Sequence, residues 1–419
     1  MKVKVWGGAG EYGRSCYYVE NKTEKIVFDC GINRSCVDGY PKVEKEVVPL
    51  LQAVFLSHIH EDHTMGLPLL AKHGYKQQIW TTRYTMQQLP SYFEKWRDYN
   101  HSQGRTLPYN ERDIQNLNYI CIDEISNPNE WVHVTPSLRF QWGYSGHVLG
   151  SVWFLVDMAG TYVFYSGDYT SESYLLRANL PENLQERIKV AIVDAAYHTE
   201  DISQNQRVHE LFTEIERVIS NKGMVLLPLP PLGRAQDILL HLQQRYNELS
   251  IMVDKEIIDG FEKMKMYKEW IKNKEEIEQT LEKLKRNIIV MDKGKCTRYS
   301  HGIIVMSDAN MQTKRAQWYY EQLRNDERNS IIFTGHIAMR SFAGNVIKEP
   351  TNNQCTVGII PYKVHQGITD IKSMLNNLLP EHTILVHSLK ADTDRLQRKL
   401  SAMGYKNLYS LTIEDIHLT

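Results

Sequence analysis

The sequence has no long apolar segment and no clustered cysteines, and each absence excludes a class of protein. No stretch approaches the roughly 18 to 20 consecutive apolar residues that cross a bilayer, and the first residues lack the apolar core of a signal peptide. The six cysteines include no Cys-x-x-Cys pair, so neither a disulfide framework nor a thiolate zinc site is indicated. We therefore expect a cytoplasmic protein with reduced thiols and no membrane partner.

An excess of charge of either sign is missing as well. The chain has 49 basic and 50 acidic residues among its 419, so no global field attracts nucleic acid or an anionic membrane. Any surface that binds a polyanion must be local. The length suits either two ordinary domains or one large core with an insertion.

The order of apolar patterns changes near Ser203. Before it, short β-branched and aromatic runs predict strands, several of which end in Gly or Asp, as in "FDCG" and "YSGD". After it, helical periodicity alternates with strand-like runs, which predicts a parallel sheet with helices. No low-complexity linker separates the two regions. This organisation favours an insertion into a host domain over two separate domains joined by a linker.

The stretch "SHIHEDH", which follows the apolar run 53–56, is the densest group of chemical side chains in the sequence. His58 and His60 are two apart in extended chain and point to the same side, while Asp62 and His63 follow as the chain turns. Neutral imidazole nitrogens and carboxylate oxygens are the ligands of first-row metals. A surface histidine-rich loop is the alternative, but a buried strand directly before the loop disfavours it. One segment could therefore serve two metal ions.

"SHIHEDHTMGLPLL" resembles the His-x-His-x-Asp-His motif of the metallo-β-lactamase superfamily. Other segments resemble the rest of that pattern in the same order. They are "IVFDCG", where Asp29 would orient the histidine loop, "YSGHVLGS" with His147, and "YVFYSGDY" with Asp168, the carboxylate that bridges two metals in the family. The resemblance implies that His58, His60 and His147 hold one metal and that Asp62, His63 and a later histidine hold the other.

Later segments are similar to the motifs of the β-CASP nucleases within that superfamily. "AIVDAAYH" resembles motif A with Asp194, "LGRAQ" contains Arg234, "IIPYKVHQG" resembles motif B with His365, and "HTILVHS" resembles motif C with His387. The resemblance implies an α/β fold, an αββα metallo-β-lactamase sandwich with an inserted α/β β-CASP domain. The expected boundaries are 1–200 and 350–419 for the two parts of the sandwich and 201–349 for the insertion, which closes over it as a lid in the family.

The resemblance also implies a chemistry. Two divalent ions, zinc first with manganese or iron tolerated, would activate water to attack a phosphodiester, with His387 completing the second metal and His365, held by Asp194, protonating the leaving oxygen. RNA-processing members have His in motif C, whereas the DNA-repair branch has Val. His387 therefore favours a ribonuclease acting on single-stranded RNA.

Substrate contacts and partners are less closely defined. Arg234 begins a predicted helix, where it could bind phosphate or pair with a carboxylate, and Ser307 lies in "MSDANM", which differs from the family's Ser-Ser-Gly-Met-like loop. We keep both as candidate substrate contacts. A DNA nuclease, or a nuclease-dead RNA-binding scaffold, is the alternative function. Endonuclease and 5′-exonuclease modes, and a homodimer or a subunit of a processing complex, remain open.

Overall fold

The structure is a computed structural model that describes residues 1–418 except 37, 183, 185, 247–248, 292–296 and 350–352. The chain forms two compact units. The first comprises Met1–Ser171, Ala178–Asp201 and His365–Thr419, and the second comprises Glu172–Arg177 and Ile202–Val364.

The elements are numbered along the chain. The strands are β1 (Lys2–Gly7), β2 (Cys16–Glu20), β3 (Lys25–Phe28), β4 (Ala53–Phe55), β5 (Gln78–Thr81), β6 (Asn118–Cys121), β7 (Val132–His133), β8 (Leu138–Tyr144), β9 (Val152–Met158), β10 (Thr161–Tyr165), β11 (Ile188–Asp194), β12 (Met224–Pro228), β13 (Ile251–Asp254), β14 (Ile288–Met291), β15 (Gly302–Met306), β16 (Ser330–Phe333), β17 (Thr356–Ile359), β18 (His382–Val386), β19 (Leu408–Ser410) and β20 (Asp415–His417). The helices are α1 (Glu61–Thr64), α2 (Leu67–Lys72), α3 (Arg83–Ser102), α4 (Glu111–Gln115), α5 (Ile122–Ile125), α6 (Gln204–Ser220), α7 (Arg234–Arg245), α8 (Lys255–Lys265), α9 (Lys274–Asn287), α10 (Lys314–Leu323), α11 (Phe342–Lys348), α12 (Ile368–Leu378) and α13 (Lys390–Ala402), with 3-10 turns at Val48–Leu50 and Lys268–Trp270.

The first unit is built on two mixed sheets that face each other. One has the strand order β20-β1-β2-β3-β4-β5-β6 and the other has the order β19-β18-β11-β10-β9-β8-β7. Aromatic rings fill the space between them, because Phe55 lies 5.1 Å from Phe140 and 5.2 Å from Phe154 between ring centroids. Phe28 and Tyr165 make a similar contact across the sheets at 4.9 Å.

Helices cover the outer face of each sheet. Apolar side chains of α2 and α3, such as Leu70 and Phe93, share a buried cluster with β-strand residues of the first sheet. On the other side, α12 and α13 contribute Met374 and Leu396 to a cluster with the second sheet. The fold is therefore the αββα sandwich that the resemblance implied.

Six strands of this sandwich end at the same edge, where most of the predicted site residues lie. Asp29 follows β3, the histidine loop follows β4, and Asp194 is the last residue of β11. The segments after β8, β10 and β18 contain His147, Asp168 and His387, whereas His365 precedes α12. Asp29 and His387 both adopt left-handed backbone conformations, with φ of +54° and +61°, immediately after their strands. Non-glycine residues adopt this conformation rarely, and they do so preferentially at functional sites.

The second unit has an all-parallel sheet with the order β14-β13-β15-β12-β16-β17, together with helices α6 to α11. Its longest helix, α6, begins with a capping box between Ser203 and Gln206. This unit ends at Val364 rather than at 349, because β17 pairs with β16 and extends the same sheet.

Most of the predicted elements are confirmed, with one large omission. The runs proposed as strands in the first 200 residues correspond to β1, β3, β4, β9, β10 and β11, and the alternation after Ser203 is the parallel sheet of the second unit. The 20-residue helix α3 was not predicted; its segment contains Pro90 and few aliphatic residues, which weaken the helical pattern.

The five described cysteines are free thiols, and Cys296 lies outside the described residues. Among the helices that the structure describes, none has both the length and the apolar character needed to span a bilayer.

Replacing Phe55 by alanine should destabilise the sandwich by about 3 to 5 kcal/mol, because it removes a fully buried ring from between the two sheets. Urea unfolding followed by tryptophan fluorescence measures this loss. Leu50→Ala is the matched control, since Leu50 is 57% exposed and its truncation should change the free energy by less than about 0.5 kcal/mol. Equal stability of the two variants would contradict the assignment of this core.

Candidate metal centre

Asp168 lies at the centre of the predicted ligands. It is buried, and its carboxylate follows β10. Its Oδ2 atom is 3.5 Å from Nε2 of His58 and 3.5 Å from Nε2 of His147, while its Oδ1 atom is 3.3 Å from Nε2 of His63. Nε2 of His387 also lies 3.8 Å from Oδ2. This one carboxylate is therefore within 4 Å of four of the predicted histidine ligands, the position that a bridging carboxylate requires.

The first group of donors consists of three histidines around Oδ2 of Asp168. Nδ1 of His60 lies 3.1 Å from Nε2 of His58 and 3.1 Å from Nε2 of His147. One ligand atom from each of the four residues lies within 4.8 Å of every other. Burial lowers the pKa of His58 well below its usual value and also lowers that of His60. Both rings are therefore neutral, the form that binds a metal.

The second group consists of Asp62, His63 and His387, whose ligand atoms also lie within 4.8 Å of one another. Oδ2 of Asp62 is 3.1 Å from Nε2 of His387 and 3.7 Å from Nε2 of His63. Burial lowers the pKa of His387, but the carboxylates of Asp168 and Asp62 outweigh it and raise that pKa to about 9. The same balance of burial and carboxylates raises the pKa of His63 well above its usual value. The carboxylates of Asp62 and Asp168 thus favour positive charge at His63 and His387.

Both groups fit a divalent cation. Donors placed tetrahedrally at the usual 2.0 to 2.2 Å from one ion are about 3.3 Å apart. The donor separations given above, 3.1 to 3.7 Å, are close to that value. The donors are imidazole nitrogens and carboxylate oxygens, with no thiolate, which suits zinc and also manganese or iron. The described residues of this unit therefore form a site for divalent metal.

Asp29 holds the histidine loop in position through hydrogen bonds. Its carboxylate accepts hydrogen bonds from the backbone nitrogen and the hydroxyl of Ser57, both at 2.7 Å, and from Nδ1 of His63 at 2.6 Å. The hydroxyl of Tyr165 donates to the same carboxylate at 2.5 Å. With its Nδ1–H held in this way, His63 directs Nε2 at Asp168, and such outer contacts set the tautomer and orientation of a ligating histidine.

His365 and Asp194 form a separate pair beside the metal ligands. Nδ1 of His365 donates to Oδ2 of Asp194 at 3.0 Å, and Asp194 also accepts from the backbone nitrogens of Tyr169 and Ala196. The ring of His365 lies between His147 and His387, at centroid distances of 4.6 and 5.1 Å. His365, Asp194, Asp168 and His387 also offer ligand atoms within 4.8 Å of one another, so His365 borders the second metal position.

Comparison with known proteins agrees with this geometry. Residues 24–220 match the model of the beta-lactamase superfamily domain, and residues 354–410 match that of the Zn-dependent metallo-hydrolase RNA specificity domain. Cleavage and polyadenylation specificity factor 73 of Drosophila melanogaster is 25% identical over 96% of this chain and 61% of its own length. The chain belongs to the β-CASP family of the metallo-β-lactamase superfamily.

Two further relatives of this β-CASP chain are archaeal. Transcription termination factor FttA of Methanocaldococcus jannaschii is 27% identical over 81% of the chain and 56% of its own length. The RNase J-like protein of the same organism is 28% identical over 80% of the chain and 78% of its length. The chain spans less than two thirds of the factor 73 and FttA sequences. A solved protein of unknown function from Enterococcus faecalis V583 has the same fold, with a TM-score of 0.55 at 13% identity over 99% of both chains.

The two candidate substrate contacts lie in the second unit of the β-CASP chain. Arg234 begins α7, as expected, and its Nη1 donates to the backbone oxygen of Thr334 at 2.5 Å. Ser307 follows β15, and its hydroxyl lies 2.9 Å from carboxylate oxygens of both Asp254 and Glu256. These contacts are internal to the unit, and a role in substrate binding stays a prediction for both residues.

Sequence reasoning missed the side chains that support the ligands. Tyr165 and Ser57, which donate to Asp29, were not assigned a role, although Ser57 directly precedes His58 in the motif. Glu61, which lies within the histidine loop, forms a two-point ion pair with Arg34, with distances of 2.7 and 2.8 Å. The guanidinium of Arg34 also lies over the ring of Tyr99 at 4.8 Å.

Gly31→Ala should weaken metal binding about 10- to 100-fold, because a Cβ atom at Gly31 would lie 1.7 Å from the backbone oxygen of Asp62 and push the ligand loop aside. Competition with a chromophoric chelator measures the zinc affinity. Gly358→Ala is the control, since nothing lies within 4 Å of its added Cβ and it should bind zinc like the wild type. Unchanged affinity in Gly31→Ala would show that the loop does not depend on this contact.

Proposed function

We propose that this β-CASP protein is a metal-dependent ribonuclease that hydrolyses phosphodiester bonds of single-stranded RNA with two divalent ions, zinc first. The observation that supports this most directly is the carboxylate of Asp168, which lies within 4 Å of histidines from both groups of ligands. These are His58 and His147 of the first group and His63 and His387 of the second. The names of the relatives and the matched RNA specificity domain, which contains His365 and His387, favour RNA over DNA.

Each predicted ligand would bind one of the two ions, except Asp168, which would contact both. His58, His60 and His147 would hold one ion, Asp62, His63 and His387 would hold the other, and Asp168 would contact both. When bound, two such ions would lower the pKa of a water molecule and offset negative charge on the phosphoryl oxygens. Asp29 keeps the histidine loop in place during turnover, because its hydrogen bonds fix both Ser57 and His63.

His365 would protonate the leaving oxygen. Its Nδ1–H is committed to Asp194, so Nε2 is the nitrogen left to give up a proton to substrate. Asp194 is itself held by two backbone N–H groups, so it fixes the orientation of the His365 ring. A positioned acid of this kind contributes about 10²- to 10⁴-fold to the rate of bond cleavage.

Wild-type protein should cleave end-labelled single-stranded RNA in the presence of zinc or manganese, and Asp168→Asn should lower the rate about a thousandfold or more because it removes the carboxylate that both metal positions share. Its zinc content should fall from about two per chain toward one. The control is Asp415→Asn, an exposed carboxylate paired with Lys2.

Two outcomes of this experiment would overturn the proposal. The first is a wild-type protein that cleaves no RNA, as a nuclease-dead scaffold would behave, and the second is equal cleavage by Asp168→Asn. A DNA strand of the same sequence, assayed in parallel, decides the substrate class, and cleavage of DNA as fast as RNA would favour the DNA nuclease. The product lengths also report whether cleavage is internal or from the 5′ end.

His365→Ala should lower the rate of RNA cleavage about 10²- to 10⁴-fold without loss of zinc, because the leaving oxygen then lacks its acid. A p-nitrophenyl phosphodiester has a leaving group that needs no proton, so the same variant should hydrolyse it at nearly the wild-type rate. Metal content and both rates are measured on one preparation. An equal loss on both substrates, or loss of zinc, would identify His365 as a metal ligand instead.

A further inference from the structure

Tyr12 is an exposed aromatic ring in a unit whose other aromatic rings are mostly buried. It is 41% exposed, and among the residues that the structure describes only one other aromatic side chain, Tyr99 at 38%, is classed as exposed. Tyr12 lies in the glycine-rich segment between β1 and β2, outside all the motifs that identify the ligands. The metal chemistry described above gives it no role.

The ring of Tyr12 lies directly beside a proposed metal ligand. It meets His387 edge to face, with ring centroids 6.1 Å apart and planes at 88°. His387 in turn contacts Asp62, whose side chain is 31% exposed, whereas His58, His63 and Asp168 are almost completely buried. Tyr12 and the partly exposed Asp62 therefore both contact the same ring, that of His387.

The position of Tyr12 is fixed from several directions. Its hydroxyl donates to the backbone oxygen of Ala196, two residues after Asp194, at 3.3 Å. Backbone hydrogen bonds connect the preceding glycines to the motif C loop. The backbone nitrogen of His387 donates to the carbonyl oxygen of Gly8 at 2.8 Å, and that of Lys390 donates to the carbonyl oxygen of Gly10 at 3.1 Å. The ring is therefore held in place without being buried, and an exposed part of it stays open to solvent.

We propose that Tyr12 is a nucleobase-stacking residue, which holds a base of single-stranded RNA adjacent to the phosphate that is cleaved. An aromatic ring can stack on any of the four bases, since each has a π face, so the contact would position the strand without reading its sequence. Single strands are the substrates that can present an unpaired base in this way. The inference rests on the proposed ribonuclease function and adds a binding subsite to it.

Loss of the Tyr12 ring should weaken RNA binding more than it slows the cleavage step. For Tyr12→Leu we expect the KM for single-stranded RNA to rise about tenfold, with kcat changed less than about twofold and zinc content unchanged. Tyr12→Phe keeps the ring and loses only the hydrogen bond to Ala196, so its KM should stay close to that of the wild type. Tyr405→Leu, a tyrosine whose hydroxyl donates to Asn376 on the surface, is the matched control and should behave like the wild type.

Abasic RNA separates stacking from a structural effect. Once the wild-type product identifies the cleaved bond, strands with one reduced abasic ribose at each flanking position are assayed. At one position the wild type should lose about the same factor as Tyr12→Leu does on intact RNA, and Tyr12→Leu should lose nothing further there. An unchanged KM in Tyr12→Leu would overturn the stacking site. So would a rise in KM, relative to the wild type, that is the same on intact RNA and on every abasic strand. A wild type that cleaves no RNA would instead overturn the ribonuclease function on which the site rests.

Discussion

The carboxylate of Asp29 is the interaction on which the rest of the site depends. It accepts hydrogen bonds from Ser57, from His63 and, across the sandwich, from Tyr165. Ser57 and His63 flank the histidine loop that follows the first sheet, and Tyr165 ends a strand of the second sheet. One buried group therefore sets the distance between the loop of one sheet and Asp168 of the other. The left-handed backbone at Asp29 turns its side chain toward these donors, so local strain is offset by several short hydrogen bonds.

The charges of the site explain why this edge of the sandwich needs cations. Asp29, Asp168 and Asp194 are almost completely buried. They lie close together in space, and Asp62 lies beside them. Buried carboxylates are costly unless they are paired or bind metal. Without an ion, His63 and His387 supply the positive charge, which is why their pKa values are raised. These residues would hold a divalent ion in their neutral form, and the ion would supply more positive charge at the same place than the two imidazolium rings do.

The sequence allowed the ligands to be predicted because they lie in short motifs directly after apolar strands, and the parallel sheet of the second unit because its βα alternation is regular. It did not reveal Tyr165 as a partner of Asp29, since the two are 136 residues apart and only the packing of the two sheets brings them together. Helix α3 was missed because its apolar pattern is interrupted by Pro90. The second unit extends to Val364, past the expected end of the insertion at 349, because β17 pairs with its sheet through tertiary contact.

The environment of Ser307 bears on where the protein handles its substrate. Ser307 lies within hydrogen-bonding distance of two carboxylates, those of Asp254 and Glu256, and the nearby Arg315 is already paired with Asp254. A phosphate brought to this position would meet two negative charges and one cation that is already engaged, so the local field opposes it. In the first unit the position beside the ligands is different, because Tyr12 offers an aromatic surface that a base can approach without electrostatic cost. For the proposed RNA substrate, contacts to bases beside the predicted ligands would therefore be more favourable than phosphate contacts at Ser307.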